Sequence, residues 1–317
     1  MSSISSLFGI VLNYIYNIVN NYGLAIIIFS VLLKLILLPL SIKQQKTMKK
    51  TARIQGKIKE IQAKYKNDQN KMNQEMMEVY RKENMSPFSG CLSSIIQIIL
   101  LLAMFGLVRN PLTHMLNINN YTIEKTQQYI SEQENANISQ RYPQIGILKY
   151  VSNNKDKVIE IDKEGGKEGE KEELNLRDLY INMNFLGLDL SNIPQENWQD
   201  PTVYIIPVLY VITSMVSMKI TTKMTVANKN KKDEVIEIKA ADDDKEKKKD
   251  KDMDSQDMAA EMSKSMSWFM PIMSVSISII APLGLALYWL LNNILMIAER
   301  LILNKVIKSD EEEQTNG

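Results

Sequence analysis

Stretches of apolar residues alternate along the chain with stretches that are rich in charge. Residues 23–42 carry a single charge, on Lys34, and residues 87–108 and 201–218 carry none. A helix rises about 1.5 Å per residue, so stretches of roughly 20 residues match a hydrocarbon core about 30 Å thick. We therefore predict a transmembrane helix at each of these three stretches.

The uncharged stretch at residues 265–298 is too long for a single span. As one helix its 34 residues would extend over about 51 Å. The sequence Ala-Pro-Leu-Gly at residues 281–284 supplies a break, because proline lacks a backbone donor and glycine tolerates a turn. We predict a fourth span at residues 265–281 and a fifth at residues 283–298.

Residues 1–22 have the pattern of an amphipathic lead-in helix that lies outside the membrane at its surface. Four asparagines recur at helical spacing opposite an apolar face. They are Asn13, Asn17, Asn20 and Asn21, facing away from Leu12, Ile15, Ile18 and Val19. A poorly ordered polar segment is the alternative, and we favour the helix.

The positions of Lys and Arg predict the orientation of the spans, because these residues are enriched in cytoplasmic segments. Residues 43–82 contain twelve of them, which places this segment in the cytoplasm. Five spans then put the N-terminus outside and the C-terminus inside. Residues 109–200 are expected outside, and the charged loop at residues 219–264 is expected in the cytoplasm.

Residues 43–86 are predicted to form a cytoplasmic helical hairpin. Apolar residues recur at spacings of three and four on both sides of a polar break at residues 67–70. They are Ile54, Ile58, Ile61 and Tyr65 before the break and Met72, Met76, Val79 and Tyr80 after it. Packing of the two helices on each other explains this pattern, and we favour it. The methionines also suit an adaptable binding surface.

Three further segments are dominated by charge. Residues 155–173 are rich in Lys, Glu and Gly, so we expect a surface insertion in the external loop that buries no core. In residues 229–257 the two signs of charge nearly balance, which favours disorder over a contact with anionic lipid or RNA. Residues 299–317 form an acidic tail that is expected in the cytoplasm.

The overall composition argues against several classes of function. Lys and Arg number 38 and Asp and Glu number 37, and the net charge of +1 gives no general attraction to nucleic acid. One Cys cannot form an intramolecular disulfide framework, and no Cys/His cluster suggests zinc. The single His, His114, has no partners in a catalytic pattern, so an enzyme is not expected.

Lys34 is the most informative residue, because a charge near the centre of a span costs about 2.5–3.5 kcal/mol and marks a functional site. No Asp or Glu lies within the five predicted spans, which excludes pairing of Lys34 except with a residue of a loop. We therefore expect Lys34 to be an unpaired cation in an aqueous cavity, in preference to one that extends to the membrane surface. Polar residues on the same span and on the other spans are expected to share that cavity: Ser30, Ser93, Ser94, Gln97, Ser217, Trp289, Asn292 and Asn293.

Several segments resemble those of a known family. They are KLILLPLSIKQQKTMKK from Lys34, PFSGCLSSIIQ from Pro87, NFLGLDLS from Asn184, YIIPVL from Tyr204, and FMPIMSVSISIIAPLGLALYWLLNNI from Phe269. Together they resemble the YidC/Oxa/Alb family of membrane protein insertases, of the bacterial five-span type. That family commonly has Arg where Lys34 stands, and a Gln often found in bacterial relatives corresponds to Ser217.

The resemblance implies an all-α membrane protein with five transmembrane helices around a hydrophilic, positively charged groove that receives hydrophobic segments of newly made proteins. It implies no cofactor, a bacterial plasma-membrane location, and nascent membrane proteins and the lipid bilayer as partners. The Sec translocon, the signal recognition particle pathway and the ribosome are further implied partners, although the acidic tail argues against docking of ribosomes by the tail. A channel or transporter that uses Lys34 in a permeation pathway is the alternative function.

Overall fold

The computed structural model describes residues 2–66, 68–84, 89–133, 138–166, 169–227 and 276–316. Residues 228–264 of the predicted charged loop and most of the predicted fourth span lie outside these residues, while residues 219–227, which were predicted to belong to the loop, are helical. The end of the fourth span is described as a short helical stretch at residues 276–280, followed by a bend at Ala281 and Pro282.

The described chain is mainly helical, with two small antiparallel sheets. The helices are α1 (Ser2–Val19), α2 (Tyr22–Lys64), α3 (Gln69–Lys82), α4 (Ser89–Arg109), α5 (Pro111–His114), α6 (Asn120–Gln133), α7 (Pro143–Asn154), α8 (Ile205–Ala227) and α9 (Leu283–Asn316). One sheet pairs β1 (Val158–Asp162) with β2 (Lys171–Asn175), and the other pairs β3 (Asn184–Phe185) with β4 (Leu188–Asp189). Short 3-10 helices occupy Leu176–Leu179 and Pro201–Tyr204.

Three of the described helices are long and apolar enough to cross a membrane. They contain Tyr22–Thr47, Pro201–Ile220 and Leu283–Asn304, which coincide with the first, third and fifth predicted spans. Large aliphatic side chains cover their outer surfaces, for example Ile36 on α2, which is 73% exposed, and Met215 on α8, which is 56% exposed. Such apolar faces are suited to contact with lipid, because a protein that exposed them to water would be prone to aggregate.

Helix α2 does not end at the predicted boundary between residues 42 and 43. It continues for 43 residues and contains Pro39 in its interior, so the first span and the first helix of the hairpin are one element. The chain then turns, and the side chain of Asp68 accepts a hydrogen bond from the backbone of Lys71 at 3.0 Å to start α3. Ile54 and Met72 are both buried where α3 packs against α2, which supports packing of the two helices on each other.

Asn20 and Asn21 separate α1 from α2 instead of adding to a polar helix face. Asn20 adopts a φ of 51°, a left-handed conformation that asparagine tolerates better than most residues. The Asn21 side chain accepts a hydrogen bond from the backbone of Leu24 at 3.0 Å, which caps the first turn of α2. The prediction that all four asparagines share one polar helix face was therefore wrong for Asn20 and Asn21. Short polar side chains also stabilise helix ends, and these two residues do so.

Residues 110–204 form a compact unit, here called the headpiece, that connects α4 to α8. Its core is made of residues from several elements, including Leu112, Ile130, Leu148, Leu176 and Leu179, each 1% exposed or less. The headpiece is therefore a folded unit with its own buried apolar residues.

The charged insertion contributes to this core, contrary to the expectation that it buries none. Its strand β1 alternates, so Ile159 and Ile161 are buried while the residues between them face solvent. Lys125 on α6 donates a hydrogen bond to Asp162 at 2.7 Å, and this bond holds the pKa of that carboxyl below its usual range. Two isoleucines at alternate positions are enough to attach a short charged hairpin to the core.

A segment of the headpiece crosses the starts of α2 and α9. This strap, residues 182–195, accepts backbone hydrogen bonds from Tyr22 at 3.0 Å, from Leu283 at 2.9 Å and from Gly284 at 2.9 Å. The first N–H groups of a helix have no partner within the helix, so the strap provides acceptors for both helix starts. It also places α2 and α9 side by side and parallel.

We predict that α1 requires a glycine where it meets α5. A Cβ on Gly9 would overlap the backbone carbonyl of His114, whereas a Cβ on Gly56 in α2 would have open space around it. Gly9→Ala should destabilise the protein by about 1–3 kcal/mol through overpacking, and Gly56→Ala should stabilise it by up to about 1 kcal/mol through helix propensity. Thermal unfolding of the two variants in detergent, followed by fluorescence-detected size exclusion, checks this. Equal melting temperatures would contradict the close contact.

We also predict that β1 is anchored through its buried face. Ile161→Thr should make the headpiece more sensitive to protease, because it removes buried apolar surface and buries a hydroxyl at a cost of about 2 kcal/mol. Val158→Thr is the matched control, since Val158 lies on the same strand and is 51% exposed. Limited proteolysis with mass spectrometry is the measurement, and the same cleavage rate in both variants would show that the hairpin is not part of the core.

Candidate functional site

A cavity lies between α2, α4 and α9 and is lined by both apolar and polar side chains. Its volume is about 60 Å³, enough for a few water molecules. Helix α2 contributes Ser30, Leu33, Lys34, Leu37, Leu40, Ser41 and Gln44, while α4 contributes Ile96, Leu100 and Leu101 and α9 contributes Tyr288 and Asn292. Lys34 is the only charged residue among them.

Lys34 is paired, which corrects the prediction that it is an unpaired cation. Its Nζ lies 2.7 Å from Oε2 of Glu299, and the two side chains are 22% and 10% exposed. The charge pattern predicted that Glu299 belongs to a tail that follows the last span. Helix α9 instead continues to Asn316, so Glu299 lies on the same helix as the fifth span and faces α2.

The position of the pair along the helices follows from their common start at the strap. Lys34 lies about 18 Å along α2 from Tyr22, and Glu299 lies about 24 Å along α9 from Leu283, at about 1.5 Å per residue. A hydrocarbon core is about 30 Å thick. With the edge of the hydrocarbon core placed at the strap, the pair would lie in the half of the core that is farther from the headpiece, where an isolated charge is costly and a partner lowers that cost.

Two of the other predicted residues meet Lys34 at the cavity. Ser30 is 5% exposed and donates its hydroxyl hydrogen to the carbonyl of Ile26 in its own helix at 2.7 Å. Asn292 lies half-buried on the opposite wall, one helical turn after Tyr288. The cavity thus combines the ammonium group of Lys34 with serine, amide and tyrosine side chains between aliphatic walls.

Trp289, Asn293 and Ser217 lie on α8 and α9, which pack against each other, and are not among the residues that line the cavity. The ring of Trp289 lies 6.0 Å from that of Tyr210, measured between centroids, and Ser217 is 5% exposed. Nε1 of Trp289 and Nδ2 of Asn293 are buried donors without a hydrogen-bond partner among the described residues.

Ser93, Ser94 and Gln97 lie on α4, and their side chains are outside the described part of the structure. Three polar residues that line the cavity were not predicted from the sequence: Tyr288, Ser41 and Gln44. Tyr288 could have been found because it lies one turn before Asn292, and Ser41 because it lies two turns after Lys34. Both positions share a helical face with a residue that was predicted.

Comparison with known proteins identifies the family. The family model described as 60Kd inner membrane protein matches residues 14–311, nearly the whole chain. The chain belongs to this family. Membership agrees with the three described helices that can span a membrane and confirms the resemblance of the sequence to the YidC group of insertases.

Several relatives carry the name membrane protein insertase YidC. The protein of Treponema denticola is 26% identical over 298 residues, which are 94% of this chain and 37% of that protein. Identity to the Fusobacterium nucleatum protein is 42% over 92 residues, or 29% of this chain and 45% of the relative. For Caldanaerobacter subterraneus it is 38% over 109 residues, or 34% of this chain and 53% of the relative. The chain thus spans between 37% and 53% of the length of these relatives.

We predict that Lys34 and Glu299 stabilise the fold as a coupled pair. Lys34→Gln or Glu299→Gln alone leaves a partly buried charge without its partner and should cost about 1–3 kcal/mol, less than for a fully buried pair because both groups keep some exposure. The double variant should regain part of that loss. Melting temperatures of the four proteins in detergent form the double-mutant cycle. Strictly additive losses would show that the pair contributes no coupling energy.

Proposed function

We propose that the protein is a membrane protein insertase. It receives hydrophobic segments of newly made proteins at the cavity between α2, α4 and α9 and releases them laterally into the bilayer, alone or with the Sec translocon. The observation that carries this proposal is a cavity lined by one charged and several polar side chains inside a set of helices with aliphatic outer surfaces. Membership in the 60Kd inner membrane protein family and the names of the relatives support it.

The physical task of an insertase is to move a short polar tail across a hydrocarbon layer. Each polar or charged group that enters hydrocarbon loses its hydration at a cost of several kcal/mol. A cavity that holds water and hydrogen-bonding side chains shortens the distance over which the tail must move through hydrocarbon. Apolar segments need no such help, because their transfer into lipid is favourable.

The proposed topology has five spans, with the headpiece and the N-terminus outside and the α2–α3 hairpin, residues 219–264 and the C-terminus in the cytoplasm. The twelve Lys and Arg residues in residues 43–82 support this orientation. In this arrangement the strap closes the outer end of the helices. The cavity side of α2, which continues to Gln44, then opens toward the cytoplasm, where nascent chains emerge.

The hairpin of α2 and α3 lies beside that proposed opening and is the proposed first contact for clients delivered by the ribosome or the signal recognition particle pathway. Its buried face is occupied by self-packing, which leaves the outer face for partners. Met77 on that outer face is 43% exposed, and a flexible thioether suits contacts with varied apolar segments.

The rival hypothesis is a channel or transporter in which Lys34 lines a permeation pathway. The relatives are named insertases, and Lys34 is held by Glu299 instead of facing an open pore. We propose no bond chemistry, because an insertase works by binding and release. Proteoliposomes that pass small ions without inserting any client would favour the channel.

The test is insertion of a client by the purified full chain in liposomes. A single-span client with a short polar tail should become protease-protected above the level of empty liposomes. Ser41→Phe, which fills the cavity wall, should lower the initial rate by about tenfold, since the tail loses its polar path. Met215→Phe on the aliphatic outer face of α8 is the matched control and should keep the wild-type rate. Protection that equals the empty-liposome level with the wild-type protein would contradict the proposed function.

A further inference from the structure

Glu299 uses only one of its two carboxylate oxygens in the described structure. Oε2 contacts Lys34 at 2.7 Å, while Oε1 is buried and has no hydrogen-bond partner among the described residues. A buried carboxylate is stable when several donors surround it. Glu299 therefore has one described ion-pair partner, Lys34, and an electrostatic interaction with the neighbouring Arg300, while Oε1 has no described hydrogen-bond donor.

Lys34 lies between Glu299 and the cavity. One side meets Glu299, and the other faces the cavity, which Lys34 lines and Glu299 does not. An ammonium group has three N–H donors, so contact with one carboxylate leaves donors for a second. A group that enters the cavity can thus reach Lys34 without first moving past Glu299.

We propose that Glu299 is an exchangeable counter-ion that sets how strongly the cavity attracts acidic client segments. This inference rests on the proposed insertase function and adds a specificity-determining residue to it. Before a client arrives, Glu299 neutralises Lys34. When a carboxylate of the client's tail contacts Lys34 from the cavity, repulsion between the two carboxylates weakens the Glu299 contact, and the client takes over the ammonium group.

The consequence of this exchange is weak discrimination by the wild-type protein. A carboxylate gains the attraction of Lys34 but loses part of that gain to repulsion by Glu299, so acidic and neutral tails should enter at similar rates. Without the charge of Glu299, Lys34 would favour acidic tails. Glu299 therefore widens the range of acceptable clients.

The experiment compares two clients that are identical except for one tail residue, Asp or Asn. The full chain is reconstituted in liposomes, and the ratio of initial insertion rates, Asp tail over Asn tail, is the readout. Glu299→Gln, which is nearly isosteric, should raise this ratio roughly threefold to tenfold, because the uncompensated ammonium attracts the aspartate. The double variant with Lys34→Gln should return the ratio to the wild-type value.

Control variants separate this effect from general changes in charge or stability. Glu170→Gln removes the same charge from an exposed pair with Lys163 in the headpiece and should leave the ratio unchanged. Glu299→Asp keeps the charge and should also keep the ratio near that of the wild type. An unchanged ratio in an active Glu299→Gln protein, or an equal loss of both clients in a protein that elutes as folded, overturns the proposal.

A second variant keeps the proposal testable if Glu299→Gln does not fold. Lys34→Gln removes the ammonium group that lines the cavity but keeps the Glu299 carboxylate behind it, and should lower the ratio below one, since aspartate then loses the attraction and keeps the repulsion. Binding of the two client segments to the detergent-solubilised protein, measured by fluorescence anisotropy, gives the same ratio without insertion. If the wild-type protein inserts neither client, the insertase function fails, and the binding ratio in Glu299→Gln still decides whether the counter-ion exchanges.

Discussion

Backbone N–H groups at the start of a helix need acceptors, and this requirement is strictest where water is scarce. In this protein the strap at residues 182–195 supplies carbonyl oxygens to the first turns of α2 and α9. The two helices consequently begin at one level and run in the same direction. Their side-by-side arrangement brings Lys34 within reach of Glu299 and forms two of the three walls of the cavity. The headpiece contributes no residue to the lining of the cavity. Through the strap it nevertheless determines the geometry of the candidate site.

The spans that the sequence predicts are those for which composition alone is decisive. An apolar stretch of about 20 residues with at most one charge has few alternatives to crossing the bilayer, and residues 23–42, 201–218 and 283–298 all lie in described helices of sufficient length. The end of a helix is less predictable, because charge marks where hydrocarbon ends and not where the helix ends. Both α2 and α9 continue well past their first charged residues. Glu299 was missed as the partner of Lys34 for this reason.

The headpiece shows a second limit of reasoning from sequence. A segment in which charged residues dominate has a composition typical of disorder, yet two isoleucines spaced two apart in β1 suffice to attach it to a core. Likewise, which face of α9 lines the cavity depends on the rotation of the helix, and that rotation is set by packing on α8 through contacts such as Tyr210 with Trp289. Asn292 and Asn293 are adjacent in sequence, yet Asn292 lines the cavity, while Nδ2 of Asn293 is a buried donor without a described partner.

The continuity of α2 has a mechanical consequence. One rod of 43 residues joins the paired lysine to the hairpin, so a force applied at Lys64 acts through a lever arm of about 45 Å. Pro39 lies between the two points and lacks the N–H that would otherwise connect it to the preceding turn. Pro39 is therefore the position at which α2 bends most easily. A partner that tilts the hairpin would therefore transmit torque to a point little more than one turn from the ammonium group, and the contact with Glu299 would be the first to lengthen.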